Sequence, residues 1–248
     1  MENQIKAPIR IRAFRAVDNP DACKKYIDGH SRILSSVGVE QVTSSTNDWM
    51  FNPASYVIIC ESEEDGKVFG GARVHALGGS QDLPLIGATE EMEPNIRKHV
   101  DQYAPQGTGE LCGLWNSIEV AGMGIGAIYL IRCSIAILPQ LGLKTLWALC
   151  SPYTTRIANR YSFLKYDQVG NKGTFYYPKI DLLATIVLLE DSDKLEFANK
   201  DEKEAIMSLR QEWNQFRMEQ NRQYKIPVNY QLKIDTVDRS VFRFGSDS

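Results

Sequence analysis

The chain predicts an α+β fold with a mixed, mostly antiparallel central sheet flanked by helices, and three observations point to it. Strand-like runs and helical patterns follow one another in the order β-α-loop-β-β-α-β-α-β-α-β-β between residues 9 and 190. Two of those runs, 55–62 and 67–77, are joined by Glu63-Glu64-Asp65-Gly66, and Asp-Gly is a strong hairpin signal that makes them antiparallel neighbours. Between Gly109 and Leu138 a strand breaks into a glycine loop that opens an apolar helix.

Isoleucine alternating with arginine over residues 9–12 reads as a half-buried first strand. Asn19-Pro20-Asp21 starts a helix, with Asn19 as cap and Pro20 in the first turn, and Gly38 is its stop. Cys23, Tyr26, Ile27, Ile33 and Leu34 are its apolar members. Residues 41–52 are polar and irregular, and the hairpin comes next. After a loop holding Leu83-Pro84-Leu85, a helix is expected over 90–103. Then come the strand from Glu110, the glycine loop, and the apolar helix to Leu141. Residues 145–150 form a short buried strand, 153–163 a helix, and 173–177 and 182–190 two more strands. From Asn199 the texture becomes charged helix: Ile206, Leu209, Trp213 and Phe216 recur at spacings of three and four, giving one apolar stripe. That stripe docks on its own domain or on a second copy, and a homodimer stays open. An edge strand is expected at 230–234. The organisation is therefore a domain over 1–198 and a C-terminal helical extension, 199–248, packed on it.

Composition excludes several classes. With 248 residues, 43% hydrophobic, the chain can bury a sizeable core. A net charge of −3 gives no basic field to collect nucleic acid or an acidic membrane surface. Five scattered cysteines without a C-x-x-C pair suit reduced, buried thiols in the cytoplasm. Residues 122–143 are apolar enough to be scored as a membrane span, but Arg132 at the centre and Pro139 argue for a helix buried beside a sheet. His30, His75 and His99 show no metal-ligand spacing, so no metal is expected.

The glycine loop is the first candidate site. The amides of Gly122, Met123, Gly124, Ile125 and Gly126 would be free donors at a helix N-terminus, where the helix dipole favours the pyrophosphate of a phosphopantetheine carrier. The alternative is a glycine turn that lets the helix pack closely on the sheet.

This order of elements, with the glycine loop between the fourth strand and its helix, resembles the GCN5-related N-acetyltransferase fold, an acyl-CoA N-acyltransferase-like architecture. Gly124 and Gly126 match the last glycines of that family's loop, while Ala121 stands at its Gln/Arg position. A narrower branch fits better: the chain looks like the acyl-homoserine-lactone synthases and N-acyl amino acid synthases. Gly70-Gly71-Ala72-Arg73, Leu83-Pro84-Leu85 and Glu110-Leu111-Cys112-Gly113 come in that branch's order, with Gly113 in place of its arginine. The resemblance implies an acyltransferase that moves an acyl group from acyl-CoA or acyl carrier protein to the amine of an amino acid-like small molecule. Against this stands a non-catalytic binding or sensor module on the same fold.

Within that frame the candidate residues take distinct roles. Glu110 is read as the base that takes the amine proton, or as an ion-pair partner of Arg73, and both can hold. Arg73 offers a planar fork for an acceptor carboxylate. Tyr161, by the resemblance, would donate a proton to the departing thiolate; otherwise it fills space beside the sheet. Asn116 and Ser117 lie where the strand would splay and could pair with pantetheine amides, with a backbone amide near Asn116 holding the thioester oxygen. His75 shares the strand face of Arg73, as a base or as a satisfied structural histidine. Asp48 faces the acceptor amine or caps a turn. Acyl chain length, amine, carrier and oligomeric state stay open.

Overall fold

Strands buried on both faces form the middle of the sheet, and strands with a solvated face form its margins. The computed structural model describes residues 4–5, 7–36, 38, 47–120, 126–220 and 224–245, and among them eleven strands join one sheet. In chain order these are β1 (Gln4–Ile5), β2 (Ile9–Arg15), β3 (Ser55–Ser62), β4 (Val68–Ala76), β5 (Thr108–Asn116), β6 (Thr145–Cys150), β7 (Leu164–Lys165), β8 (Thr174–Tyr176), β9 (Leu183–Leu189), β10 (Asn214–Gln220) and β11 (Tyr224–Gln231). β2 to β5 are successive antiparallel neighbours, β6 lies parallel to β5, and β9 returns antiparallel to β6 with β7 and β8 on its far side. At the other margin β11 runs parallel to β1 and β2, and β10 pairs antiparallel with β11. The mixed α+β sheet read from the sequence is therefore present, with the 63–66 hairpin joining β3 to β4.

Helices cover both faces. On one, α1 (Pro20–Ser36) starts at the expected cap: the Asn19 side chain accepts the Ala22 N–H at 3.2 Å. Its Cys23 and Tyr26 pack with Trp49, Val57, Ile59 and Trp115. Beside it, α2 (Pro84–Thr89) and α3 (Ile96–Asp101) bury Leu85, Ile86, Ile96 and Val100 against Trp147 of β6 and Ile186 of β9. The opposite face is covered by α4 (Ala127–Ala136), α5 (Leu138–Leu141), α6 (Pro152–Ala158) and α7 (Lys200–Gln211). The sides of α4 are almost all apolar, and its one charge is answered: Arg132 donates two hydrogen bonds to Glu202 of α7, at 3.1 and 2.9 Å, and pairs with Glu219 of β10 at 3.1 Å. No helix among the described residues is long and apolar enough to cross a membrane.

Four boundaries differ from the sequence reading. The helix expected over 90–103 is two short ones, because Pro84 at the first helical position starts α2 early and Pro94 breaks the chain between α2 and α3. The helix expected over 153–163 ends at Ala158, leaving Tyr161 in a turn bridged to Ala198. The stripe expected to run helically through Trp213 and Phe216 ends at Gln211; Asn214–Gln220 is β10, whose Phe216 is 65% exposed. The edge strand expected at 230–234 starts earlier, as β11, and lies between β10 and β2 rather than at the margin. The segment read as a helical extension thus supplies one amphipathic helix and two strands of the main sheet.

Candidate active site

The pairing of β5 with β6 stops early. Thr108, Gly109 and Glu110 face Thr145, Leu146 and Trp147, and beyond Glu110 the two parallel strands have no further register partners. β5 continues to Asn116 and β6 to Cys150, so two backbone edges diverge and leave a gap in the sheet. A cavity of about 540 Å³ occupies it, with walls from Leu111 to Leu114 on one side and Ala148 to Ser151 on the other. Its remaining surface is largely apolar, with Leu85, Ile131, Phe163 and Leu182 among the contributors.

β5 also carries a bulge. Gly71 of β4 opposes Trp115 while Arg73 opposes Cys112, so Gly113 and Leu114 together face the single residue Ala72. Gly113 has φ +58, a left-handed conformation that penalises any side chain. Gly113 is thus demanded by the local backbone.

Glu110 lies at the base of the gap. It is 2% exposed, and its carboxylate accepts the Leu85 N–H at 2.7 Å. This explains the Leu-Pro-Leu sequence in local terms: Pro84 has no N–H to satisfy, and the next free donor at the start of α2 goes to Glu110. Burial pushes the Glu110 carboxyl up to about 8, against smaller lowering contributions from the Leu85 hydrogen bond and the Arg73 charge. An acid held there is half ionised near neutral to mildly alkaline pH, where it can take a proton from an amine.

Arg73 does not pair with Glu110. The register sets Arg73 opposite Cys112 and His75 opposite Glu110, and among the described residues no ion pair joins the arginine to any carboxylate. Arg73 is 1% exposed, its guanidinium lies 4.4 Å from the Trp49 ring centre, and among the described residues its Nε and Nη1 have no hydrogen-bond partner. A buried, unneutralised cation with free donors is set up for an anion.

The other sequence candidates fall in different places. His75 shares the face of Arg73, but its Nε2 is 2.8 Å from the Asn52 side-chain nitrogen, and burial together with the Arg73 charge lowers it to about 3. The Tyr161 hydroxyl donates to the Ile128 carbonyl at 2.9 Å, away from the cavity wall, and burial raises it far above the usual phenol range. That geometry does not serve a proton donor to a thiolate. Asn116 pairs with Gly70, and the Ser117 N–H donates to the Phe69 carbonyl at 2.7 Å, so both are engaged with β4 while the splay lies earlier, at Leu111–Leu114. The Asn116 side chain packs against Gly126 at the head of α4. Asp48 is exposed in a short turn, next to the buried Trp49. Gly122, Met123, Gly124 and Ile125 lie outside the described residues, so the phosphate loop enters only through Gly126.

Sequence reasoning passed over His30. It lines the cavity from α1, is 6% exposed, and is lowered to about 4 by burial and then by the Arg73 charge. Only its place on the buried face of α1, one turn beyond Tyr26, could have marked it. All five cysteines are buried and unpaired; Cys112 and Cys150 line the cavity, and burial raises each to about 12, so neither is a thiolate nucleophile. No three His, Cys, Asp or Glu side chains gather as a metal-ligand set among the described residues.

No protein-family model matches the sequence, and no curated protein matches it. Solved structures do. An N-acyl amino acid synthase from uncultured soil microbes, FeeM, superposes with a TM-score of 0.57 at 12% identity, covering 78% of this chain and 96% of that one. The chain has an acyl-CoA N-acyltransferase fold. A CoA-dependent acyl-homoserine lactone synthase, BjaI, solved with MTA, superposes on this N-acyltransferase fold with a TM-score of 0.50 at 9% identity, covering 93% of this chain and 96% of that one.

Proposed function

We propose that the protein is an N-acyltransferase that moves an acyl group from coenzyme A or acyl carrier protein to the amine of an amino acid-like acceptor. The observation that carries this reading is the gap between β5 and β6, an apolar cavity with unpaired strand edges on both sides and one buried carboxyl, Glu110, at its base. Extended pantetheine amides can join those edges as an added strand, and the apolar walls suit an acyl chain. The named activities of FeeM and BjaI support the same class of reaction.

In the reaction we infer, the free amine attacks the thioester carbon, the C–S bond breaks, and an amide and a thiol result. Glu110 takes the proton that the amine loses. Because the departing thiolate needs one proton, Glu110 can return it, and no separate acid such as Tyr161 is required. The oxyanion of the tetrahedral intermediate is held by backbone amide at the Gly113–Leu114 bulge, which takes over the part expected near Asn116. Arg73 reads a carboxylate on the acceptor, which answers its orphaned Nε and Nη1. The loop from Gly122 to Gly126, with Ser117, receives the carrier's phosphates through backbone amides. We place the reaction in the cytoplasm, where five unpaired thiols persist.

The test is direct. The purified chain is incubated with acyl-coenzyme A and acyl carrier protein donors against a panel of amino acids, and thiol release is followed together with mass spectrometry for N-acyl product. Amine-dependent thiol release supports the reading; no release with any pair overturns it.

A further inference from the structure

Tyr26 occupies an unusual position for an apolar-face helix residue. It is wholly buried on α1, and its ring packs edge-on to Trp49 at 5.3 Å and to Trp115 at 6.1 Å. Two glycines make room for it. A Cβ on Gly71 would overlap the Tyr26 ring, and a Cβ on Gly113 would overlap its hydroxyl. That hydroxyl donates to the carbonyl oxygen of Gly113, across 87 residues of sequence. One side chain therefore explains both the second glycine of Gly70-Gly71-Ala72-Arg73 and the glycine that ends Glu110-Leu111-Cys112-Gly113.

The bond lands on the bulge. Neither Gly113 nor Leu114 has a register partner in β4, and β6 has already diverged. A trans peptide points its carbonyl and its N–H in opposite directions. Holding the Gly113 oxygen against Tyr26 turns the Leu114 N–H away from Tyr26, and Leu114 is one of the residues that line the gap.

We infer that Tyr26 is a positioning residue for the acyl-transfer site: its hydroxyl fixes the bulge peptide so that the Leu114 amide meets the thioester oxygen. This rests on the acyltransferase reading above and adds a residue to it. Burial keeps Tyr26 a phenol throughout the working pH range, so the donor is permanent. The ring packing and the hydroxyl bond are separable, since phenylalanine keeps the first and loses the second.

The experiment compares octanoyl-coenzyme A with S-octyl-coenzyme A, a thioether that lacks the carbonyl oxygen, by calorimetry on the wild type and on Tyr26→Phe. The wild type should bind the thioester about 10-fold more tightly than the thioether, the worth of one well-placed hydrogen bond. Tyr26→Phe should bind both alike, with thioether affinity unchanged. Its kcat should fall about 10- to 100-fold while the acceptor KM stays constant, since a misdirected oxyanion donor acts on the transition state. Gly113→Ala, which pushes on the same hydroxyl from the other side, should erase the discrimination too, and serves if Tyr26→Phe fails to fold. Preserved discrimination in a folded variant overturns the role of Tyr26 and leaves the acyltransferase reading standing. Failure of the wild type to bind either compound, together with no thiol release, overturns both.

Discussion

Replacing Glu110 by glutamine separates the chemistry of this site from its stability. The side chain keeps its shape, and the new amide oxygen can still accept the Leu85 N–H. What changes is the charge. Holding the carboxyl near 8 rather than at its ordinary 4.5 means that ionising it inside the fold costs about 5 kcal/mol more than in the unfolded chain. The sign comes from linkage: the folded state binds this proton more tightly, so the contribution is fully present below about 4.5 and is lost as pH rises through about 8. Wild-type stability should therefore decline across that window relative to Glu110→Gln, which has nothing to titrate. At about 2–4 °C per kcal/mol for a chain of this size, the variant should gain on the order of 10 °C in melting temperature relative to wild type between pH 5 and 9. Differential scanning calorimetry at matched ionic strength reads this without any substrate. Activity should move oppositely: wild-type kcat/KM rises with a midpoint near 8, and Glu110→Gln loses that limb and falls about 10²- to 10⁴-fold. Parallel stability curves for the two proteins over pH 5–9 would refute the argument, because the carboxyl would then ionise as easily inside as outside.

Three further outcomes are expected. Arg73→Met removes a buried cation that has no carboxylate partner among the described residues, so it should raise the melting temperature slightly while raising the acceptor KM more than the donor KM; thermal melts and steady-state kinetics on both substrates check it. Tyr161→Phe loses one hydrogen bond to Ile128 and should cost about 1 kcal/mol with turnover kept within a few-fold; a 100-fold loss in kcat would return the hydroxyl to the reaction. Arg132→Met removes a buried cation from Glu202, which keeps Arg160, and from Glu219, which keeps Arg217 and Tyr230, and should cost about 1.5–3 kcal/mol by urea denaturation, leaving kcat per folded molecule unchanged.

How much of this was legible in the sequence depends on the range of the physics involved. Local signals held: Asn19 does cap α1 and Asp65-Gly66 does turn β3 into β4, while the strand read from Glu110 starts two residues earlier, at Thr108. Register was not legible: nothing local says that β4 and β5 align Arg73 with Cys112 and His75 with Glu110, or that a bulge follows at Gly113 and Leu114. Tyr161 misled because its motif fixes a position along the chain, whereas the direction of its hydroxyl is set by α4 packing above it. The tail misled for a related reason. Trp213 and Phe216 continue the spacing of Ile206 and Leu209, and a helical period extended past Gln211 cannot be told from an alternating strand over so few residues. Tyr26 and His30 were visible only as members of an apolar helix face, since their partners lie some 85 residues on.

The placement of β11 beside β2 has a bearing on how the protein is made. β2 is synthesised well before β11, and one of its edges stays bare until residues 228–231 have been made. Until then the sheet presents an open row of amides and carbonyls, and Arg132 sits in α4 without Glu202 and Glu219. At about 5–20 residues per second, the interval between β2 and β11 lasts on the order of 10 s or more. Completion of the fold thus waits for β10 and β11, and a chain stalled before them is a substrate for chaperones or for edge-to-edge aggregation.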